Sequence, residues 1–363
     1  MYKVVSLFSG GGGLDLGFIW QGYNIVWAID IDKNAVETYK KNIGNHIQCA
    51  DLTQIDINRI PSADIVIGGP PCQSFSLIGK RDILDKRGML VWKYIEIIDK
   101  LKPKAFVFEN VTGILSAKTP DGNKVIDELF SAFKKIGYTI TQKTINAADY
   151  GIPQKRKRVI IVGLKGEKKF EFPNETHGEK DSNLKPYVSV LEALSDLPRA
   201  SENSNMKLNY LQKPINEYQV KMRKKAEMVT EHIIPTMSEL DQYIINHVKP
   251  GGNYMDIPSE VNSKRIQRLQ REGGRTTCYG RLDPNKPSYT INTYFNRPNV
   301  GCNIHYKENR LITVREALRL QSFPDDYQIV STSKQGKHSI VGNAVPPMLS
   351  EIIAKQLKKY LEK

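Results

Sequence analysis

The run Gly68-Gly-Pro-Pro-Cys-Gln-Ser-Phe-Ser76 places a cysteine directly after two prolines. Proline fixes its own backbone angle, so Cys72 sits on a stiff turn. A cysteine is a nucleophile only as its thiolate, and nearby positive charge favours that form. Two other runs offer the groups such a thiol would use. Phe108-Glu-Asn-Val111 supplies a carboxyl group at Glu109. Gln154-Lys-Arg-Lys-Arg158 supplies Arg156 and Arg158 at alternate positions, which project to one side of a strand. Each group alone has a plain reading: an inert buried thiol, a helix-capping carboxylate, a solvated basic patch. Together they suit addition of a thiolate to an electron-poor ring. The carboxyl group offsets charge developing in the ring, and the arginines hold a ring oxygen and favour the thiolate.

Cytosine is a ring for which this addition changes what is possible. Its C5 is too weak a nucleophile to take a methyl group from a sulfonium directly. Bonding Cys72 to C6 makes C5 enamine-like, which splits one hard step into two easier ones. Loss of the C5 proton then expels Cys72. The scheme needs no metal, and Cys49, Cys72, Cys278 and Cys302 show neither a CxxC pair nor Cys/His spacing.

A second cluster reads as a cofactor loop. Phe8-Ser-Gly-Gly-Gly-Gly-Leu-Asp-Leu-Gly17 follows a strand and opens a helix, where glycines let backbone N–H groups approach a ligand. Gly10, Gly12 and Gly13 are its candidate contacts. Asp30 ends the next strand, placed to accept from ribose hydroxyls, and Asp51 follows the third, where an adenine amino group could donate to it. Asp15 stands where the dinucleotide fingerprint requires its third glycine, which favours a nucleoside without a pyrophosphate.

The elements that must position these residues come from hydrophobic periodicity. Strands are expected at Val4–Phe8, Asn24–Ile29, His46–Ala50, Ile65–Ile67, Ala105–Glu109, Thr139–Ile145 and Val159–Val162, and helices at Lys33–Asn42, Met89–Leu101 and Lys124–Ile136. This alternation implies an α/β fold with a doubly wound, mainly parallel sheet and its ligands at the strands' carboxyl ends. Beyond Gly163 the chain becomes rich in Lys, Asn, Pro and Gly, a second, smaller, loop-rich domain. Helical pattern returns at Thr313–Gln321, where Arg315 and Glu316 suggest a structural ion pair, and again from about Pro346 to the end.

In this order the motifs resemble the DNA (cytosine-5) methyltransferase family of bacterial restriction–modification systems. The match adds Arg87-Gly-Met-Leu90, Arg310-Leu-Ile-Thr-Val-Arg-Glu-Ala-Leu-Arg-Leu-Gln-Ser-Phe-Pro324 and Gly342-Asn-Ala-Val-Pro346. The resemblance implies an S-adenosylmethionine-dependent methyltransferase fold, with Cys72 as nucleophile, Glu109 as partner of the base N3, and Arg156 and Arg158 positioning base and thiol. It implies a cofactor pocket of Phe8, Gly10, Gly12, Gly13, Asp30, Ile31, Asp51, Leu52, Pro71, Leu90, Asn343 and Val345. Ile31 departs from the tryptophan that many relatives stack on the adenine.

The resemblance further implies that residues 338–363 complete a catalytic domain spanning 1–165, while 166–337 form the target-recognition domain. The segment from Cys72 to Arg87 looks like the loop that closes over flipped DNA. Gln73, Ser76, Arg87, Arg275, Tyr279, Arg281, Thr290 and Arg297 become the expected DNA contacts.

Composition agrees with a polyanionic partner. The 363 residues carry 53 Lys+Arg against 39 Asp+Glu, a net charge of +14. The expected partner is double-stranded DNA bearing a short specific site, bound by a monomer. No apolar run approaches the ~18 residues of a membrane span, and the N-terminal one is too short for a signal peptide, so a cytoplasmic protein is expected. An RNA methyltransferase shares these motifs and is the nearest rival. A silent binder would not need Cys72, Glu109 and the arginines. A nicotinamide-dependent dehydrogenase leaves Pro-Pro-Cys unexplained.

Overall fold

The computed structural model describes residues 1–71, 89–119, 121–203, 206–224 and 226–362, with Met89 described by its backbone alone. Four expected site residues, Cys72, Gln73, Ser76 and Arg87, therefore lie outside the described residues. The alternating runs become β1 (Lys3–Leu7), α1 (Gly13–Trp20), β2 (Asn24–Asp30), α2 (Lys33–Asn42), β3 (Ile47–Cys49), β4 (Ile65–Gly68), α3 (Met89–Leu101), β5 (Ala105–Asn110), α4 (Val125–Lys135), β6 (Tyr138–Asn146) and β7 (Lys157–Lys165). These strands form one sheet in the order 3-2-1-4-5-7-6. β7 runs antiparallel to both neighbours and every other pairing is parallel.

β7 is longer than its apolar run predicts. Its charged ends, Lys157, Arg158 and Lys165, still pair with β6 from Asn146 to Tyr138, because the backbone ladder is indifferent to side-chain polarity. Alternate residues of the sheet, Val5, Leu7, Trp27, Ile29, Val66, Phe106, Phe108, Val159 and Ile161, share one core with Tyr94 and Ile98 of α3 and Leu129 and Phe133 of α4. The central strands are buried on both faces, which is why they read as continuous apolar runs.

The chain divides into two compact units. The first comprises Met1–Asn146, Lys157–Asn174 and Pro347–Lys363. Its last piece is helix α11 (Pro347–Leu361), tied back by the Tyr2 hydroxyl donating to the Leu361 carbonyl at 2.7 Å and the Tyr23 hydroxyl donating to that of Ala354 at 3.0 Å. The second unit comprises Ala147–Arg156 and Glu175–Pro346. Both expected boundaries shift. The return begins at Pro347 rather than 338, and ten residues before β7 join the second unit. Backbone bonds explain the latter: Ser288 N–H donates to the Pro153 carbonyl at 2.9 Å and Lys155 N–H to the Ser288 carbonyl at 2.7 Å.

The second unit contains α5 (Val190–Leu194), α6 (Glu217–Arg223), α7 (Glu239–His247), α8 (Lys264–Glu272), α9 (Val314–Leu320) and α10 (Lys334–Asn343). The expected Arg315–Glu316 pair is not formed, since neighbours on a helix face different directions. Glu316 instead accepts both Nη groups of Arg310 at 2.8 Å and closes a capping box with Thr313. Arg315 donates to the carbonyls of Thr230 and Tyr327 at 2.9 and 2.7 Å. Arg319, fully buried, donates to Asp196 Oδ1 and to Asp325 Oδ1, both at 2.8 Å.

Candidate active site

The glycine loop is strained and closely backed. Phe8 leaves β1 at φ 55°, a left-handed conformation that costs a non-glycine residue energy and recurs at functional sites. Gly12, at φ 87°, caps α1, and a Cβ there would lie 2.2 Å from Ile43 Cδ1 and 3.0 Å from the Tyr39 ring. Gly10 N–H donates to Asp30 Oδ2 at 2.7 Å, and Asp32 N–H to Oδ1 at 2.9 Å. Asp30 thus holds the loop against the end of β2. Ile31, the next residue, is 69% exposed, an apolar seat beside a carboxylate. Asp51 lies two residues beyond Cys49, the β3 partner of Asp30, and caps the turn Leu52–Gln54 through Thr53. Leu52 is buried, Pro71 is exposed, and Leu90 is half-buried against the sheet core. A positive-φ glycine loop, an exposed apolar residue and two carboxylates at adjoining strand ends fit a nucleoside ligand.

Asn343 and Val345 belong to the second unit, where Asn343 is the exposed last residue of α10 and Val345 is buried.

Glu109 and Arg158 meet because of strand register. Glu109 on β5 lies opposite Ile160 on β7, so Arg158, two residues earlier, shares its face as a diagonal neighbour. Arg158 Nε donates to Glu109 Oε1 at 2.8 Å, with both side chains nearly buried. Room for the carboxylate comes from Gly69, where a Cβ would lie 2.7 Å from Glu109 Oε2. Asn110 Nδ2 donates to the Pro70 carbonyl at 2.7 Å, tying the end of β5 to the segment after β4 that precedes Cys72 in sequence. Asn110 was not singled out from sequence. Its place after Glu109, opposite the Gly-Gly-Pro-Pro strand end, was the available signal.

Arg156 and Arg158 were expected to project together, but Arg156 precedes the strand and its guanidinium bonds backbone carbonyls, whereas Arg158 meets Glu109. β7 begins only at Lys157, so strand alternation does not govern Arg156. Its guanidinium is fully buried and donates to the carbonyls of Ile291, Gly342 and Ala344 at 3.0, 2.9 and 2.9 Å. Gln154 Oε1 accepts from Ile291 N–H at 2.9 Å, and the Thr290 hydroxyl donates to the Lys155 carbonyl at 2.8 Å. Gln154 and Arg156 therefore clamp the segment around Ile291 within the second unit.

Two expected DNA contacts are corrected. Arg281 spends its five N–H donors on the carbonyls of Val248, Ile245, His305 and Glu308 and on Asn309 Oδ1, at 2.6 to 3.0 Å. No donor is left for DNA. Tyr279 is buried in an apolar core with Ile245, Val248 and Ile304, at φ 54°. Arg275 and Thr290 are exposed, and Arg297, also exposed, stacks over the Tyr294 ring at 4.8 Å.

A buried acid beneath the loop also escaped notice as a functional group. Asp15, 0% exposed, accepts from the Ser6 hydroxyl through Oδ2 and from the Tyr39 hydroxyl through Oδ1, each at 2.9 Å. Burial pushes its pKa up to about 6, although both hydroxyls favour the ionised form. The folded value lies above the unfolded one, so the protonated acid suits the fold and that stability is lost as pH rises through about 6. Asp15→Asn is expected to unfold at higher denaturant than the parent at pH 8, by roughly 2–3 kcal/mol, with the gain gone at pH 4. Urea titrations at the two pH values would check it, and equal midpoints at pH 8 would contradict it.

Comparison with known proteins identifies the family. A family model described as C-5 cytosine-specific DNA methylase matches residues 2–359. The chain is 38% identical to the Type II methyltransferase M.NgoFVII of Neisseria gonorrhoeae, over 98% of this chain and 86% of that one. It is 34% identical to the Type II methyltransferase M.DdeI of Desulfomicrobium norvegicum, over 99% of this chain and 89% of that one. A crystal structure of a candidate DNA modification methyltransferase encoded within an E. coli prophage superposes with a TM-score of 0.76 at 26% identity, covering all of both chains. The chain belongs to the C-5 cytosine-specific DNA methylase family.

Proposed function

We propose that this chain is the modification enzyme of a restriction–modification system, methylating C5 of a flipped cytosine at a short specific site in duplex DNA through a bond from Cys72 to C6. The observation that carries this reading is the Glu109–Arg158 pair, built under Gly69 and joined through Asn110 to the Pro70–Pro71 segment that precedes Cys72 in sequence. Relatives named as Type II methyltransferases at 38% and 34% identity support the biological setting.

S-adenosylmethionine, when bound, supplies a methyl group on a sulfonium. The chain's own groups would do the rest. The loop around Gly10, Gly12 and Gly13, with Phe8, Asp30, Ile31, Asp51, Leu52, Pro71 and Leu90, would hold the nucleoside. Glu109 would bond the base N3 and share a proton with it as the ring's charge changes, while Arg158 holds the carboxyl group in place and meets O2. Arg156 is a proposed positioning residue, its guanidinium held by the carbonyls of Ile291, Gly342 and Ala344. Flipping costs a few kcal/mol of unstacking, recovered by contacts to the extruded base. Arg275, Thr290 and Arg297, with Gln73, Ser76 and Arg87, remain the proposed DNA contacts.

Incubation with tritiated S-adenosylmethionine and either mixed-sequence duplex DNA or total tRNA tests the reading. Label recovered as 5-methylcytosine in DNA is the expected result. Label confined to tRNA would replace it with the RNA reading, and label in neither, across DNA covering all short sites, would refute transfer.

A further inference from the structure

Asp15 carries the further inference, which rests on S-adenosylmethionine being the cofactor. A carboxylate whose ionisation works against the fold occupies a place that an amide would fill. It sits in the first turn of α1, directly after the glycine loop. The Tyr39 ring that it bonds lies beneath Gly12, and the Ser6 hydroxyl that it bonds accepts from Ser9 Oγ at 3.0 Å. Asp15 therefore joins β1, α1 and α2 under the loop. A second carboxylate, Asp30, holds Gly10 on the same loop, and the two repel one another. Among the described residues neither acid forms an ion pair with Lys or Arg. The neighbours that bear on Asp15 are Ser6, Tyr39, Asp30 and, through the Tyr39 oxygen at 3.1 Å, His46. Burial keeps the His46 pKa below its ordinary value, so it is neutral at pH 8.

A buried acid and a second, partly buried one, neither paired with Lys or Arg among the described residues, make a loop that favours a positively charged ligand, because Coulomb interaction is weakly screened inside a protein. S-adenosylmethionine carries one more positive charge than the thioether left after methyl transfer. The sulfur keeps the bonding pair as the methyl departs, so its formal charge falls to zero. We propose that Asp15 is a charge-selective positioning residue, whose buried carboxylate makes the glycine loop prefer the sulfonium cofactor over the spent thioether. Methyl transfer then weakens the hold on its own product and promotes exchange.

The ratio of dissociation constants for S-adenosylhomocysteine and S-adenosylmethionine tests this without any turnover. Calorimetry on the parent protein, Asp15→Asn and Tyr39→Phe at pH 8 is expected to show that ratio reduced about fivefold in Asp15→Asn. Tyr39→Phe, which keeps the charge, should change both affinities by the same factor. In the parent the ratio should fall as pH drops from 8 to 5, and this fall should shrink in Asp15→Asn, any remainder belonging to Asp30 and His46. The titration of the parent needs no variant to fold. A pH-independent ratio in the parent, or equal weakening of both ligands in Asp15→Asn, would overturn the inference and leave the cofactor reading standing. Failure of the parent to bind either nucleoside would remove the cofactor reading first.

Discussion

Cys72→Ser is expected to put no measurable methyl label into DNA, and Glu109→Gln to slow transfer by about 10²- to 10⁴-fold. A hydroxyl has no accessible anion at neutral pH, so C6 would receive no nucleophile. Glutamine at position 109 fits the space under Gly69 and can still bond N3, but it cannot follow the ring's change of charge with a proton. Arg158→Ala should cost on the order of 10²- to 10³-fold, since it removes both the group holding Glu109 at 2.8 Å and a donor to the base. The double variant Glu109→Gln/Arg158→Ala should be far less impaired than the product of the two losses, because paired groups act as a unit. Single-turnover rates on one duplex substrate measure all four. DNA with fluorine at C5 adds an independent reading: fluorine cannot leave as a proton does, so the parent should stay attached and Cys72→Ser should not. Full transfer by Cys72→Ser would end the covalent scheme, and multiplicative losses would dissolve the Glu109–Arg158 partnership.

Arg319→Met is expected to destabilise the second unit by about 3–5 kcal/mol, the cost of a buried charge stripped of its partner. The guanidinium joins Asp196, Asp325 and the Ala193 carbonyl, and all three charged side chains are 0% exposed. Among the described residues, Asp325 would keep only the Tyr210 hydroxyl at 2.7 Å and a distant Arg315, and Asp196 only Arg223 at 3.4 Å. Arg319→Lys should recover part of the loss, since an ammonium cannot bridge two carboxylates as a planar fork does. Asp325→Asn combined with Arg319→Met should recover more, because one of the orphaned charges is then gone. Burial alone would raise the Asp325 pKa, but the Arg319 bond outweighs it and holds the carboxyl below its ordinary value. The parent's stability from this network is therefore present above the ordinary carboxylate range and lost as pH falls through the depressed value. Urea midpoints at pH 8 measure the variants. A shift below about 1 kcal/mol for Arg319→Met would show that the ion network is dispensable.

Local chemistry made some of this protein legible without coordinates. Buried parallel strands need unbroken β-branched runs, so β1, β4 and β5 showed in the sequence to within a residue or so. Gly-Gly-Pro-Pro-Cys, Glu-Asn-Val and the glycine loop belong to types that few backbone sites demand, and their order alone pointed to a family that residues 2–359 match. What spacing could not settle was which partner each charge meets. Arg156, Arg158, Arg281, Arg315 and Arg319 look alike as letters. Register hands Arg158 to Glu109, whereas carbonyls brought together from distant segments absorb Arg156, Arg281 and Arg315, and two acids absorb Arg319. Asp15 read as a missing glycine until burial and two hydroxyls gave it a place. Residue type and order follow from chemistry that each short segment carries with it. The assignment of partners depends on desolvation and long-range packing, and these exist only once the chain has folded.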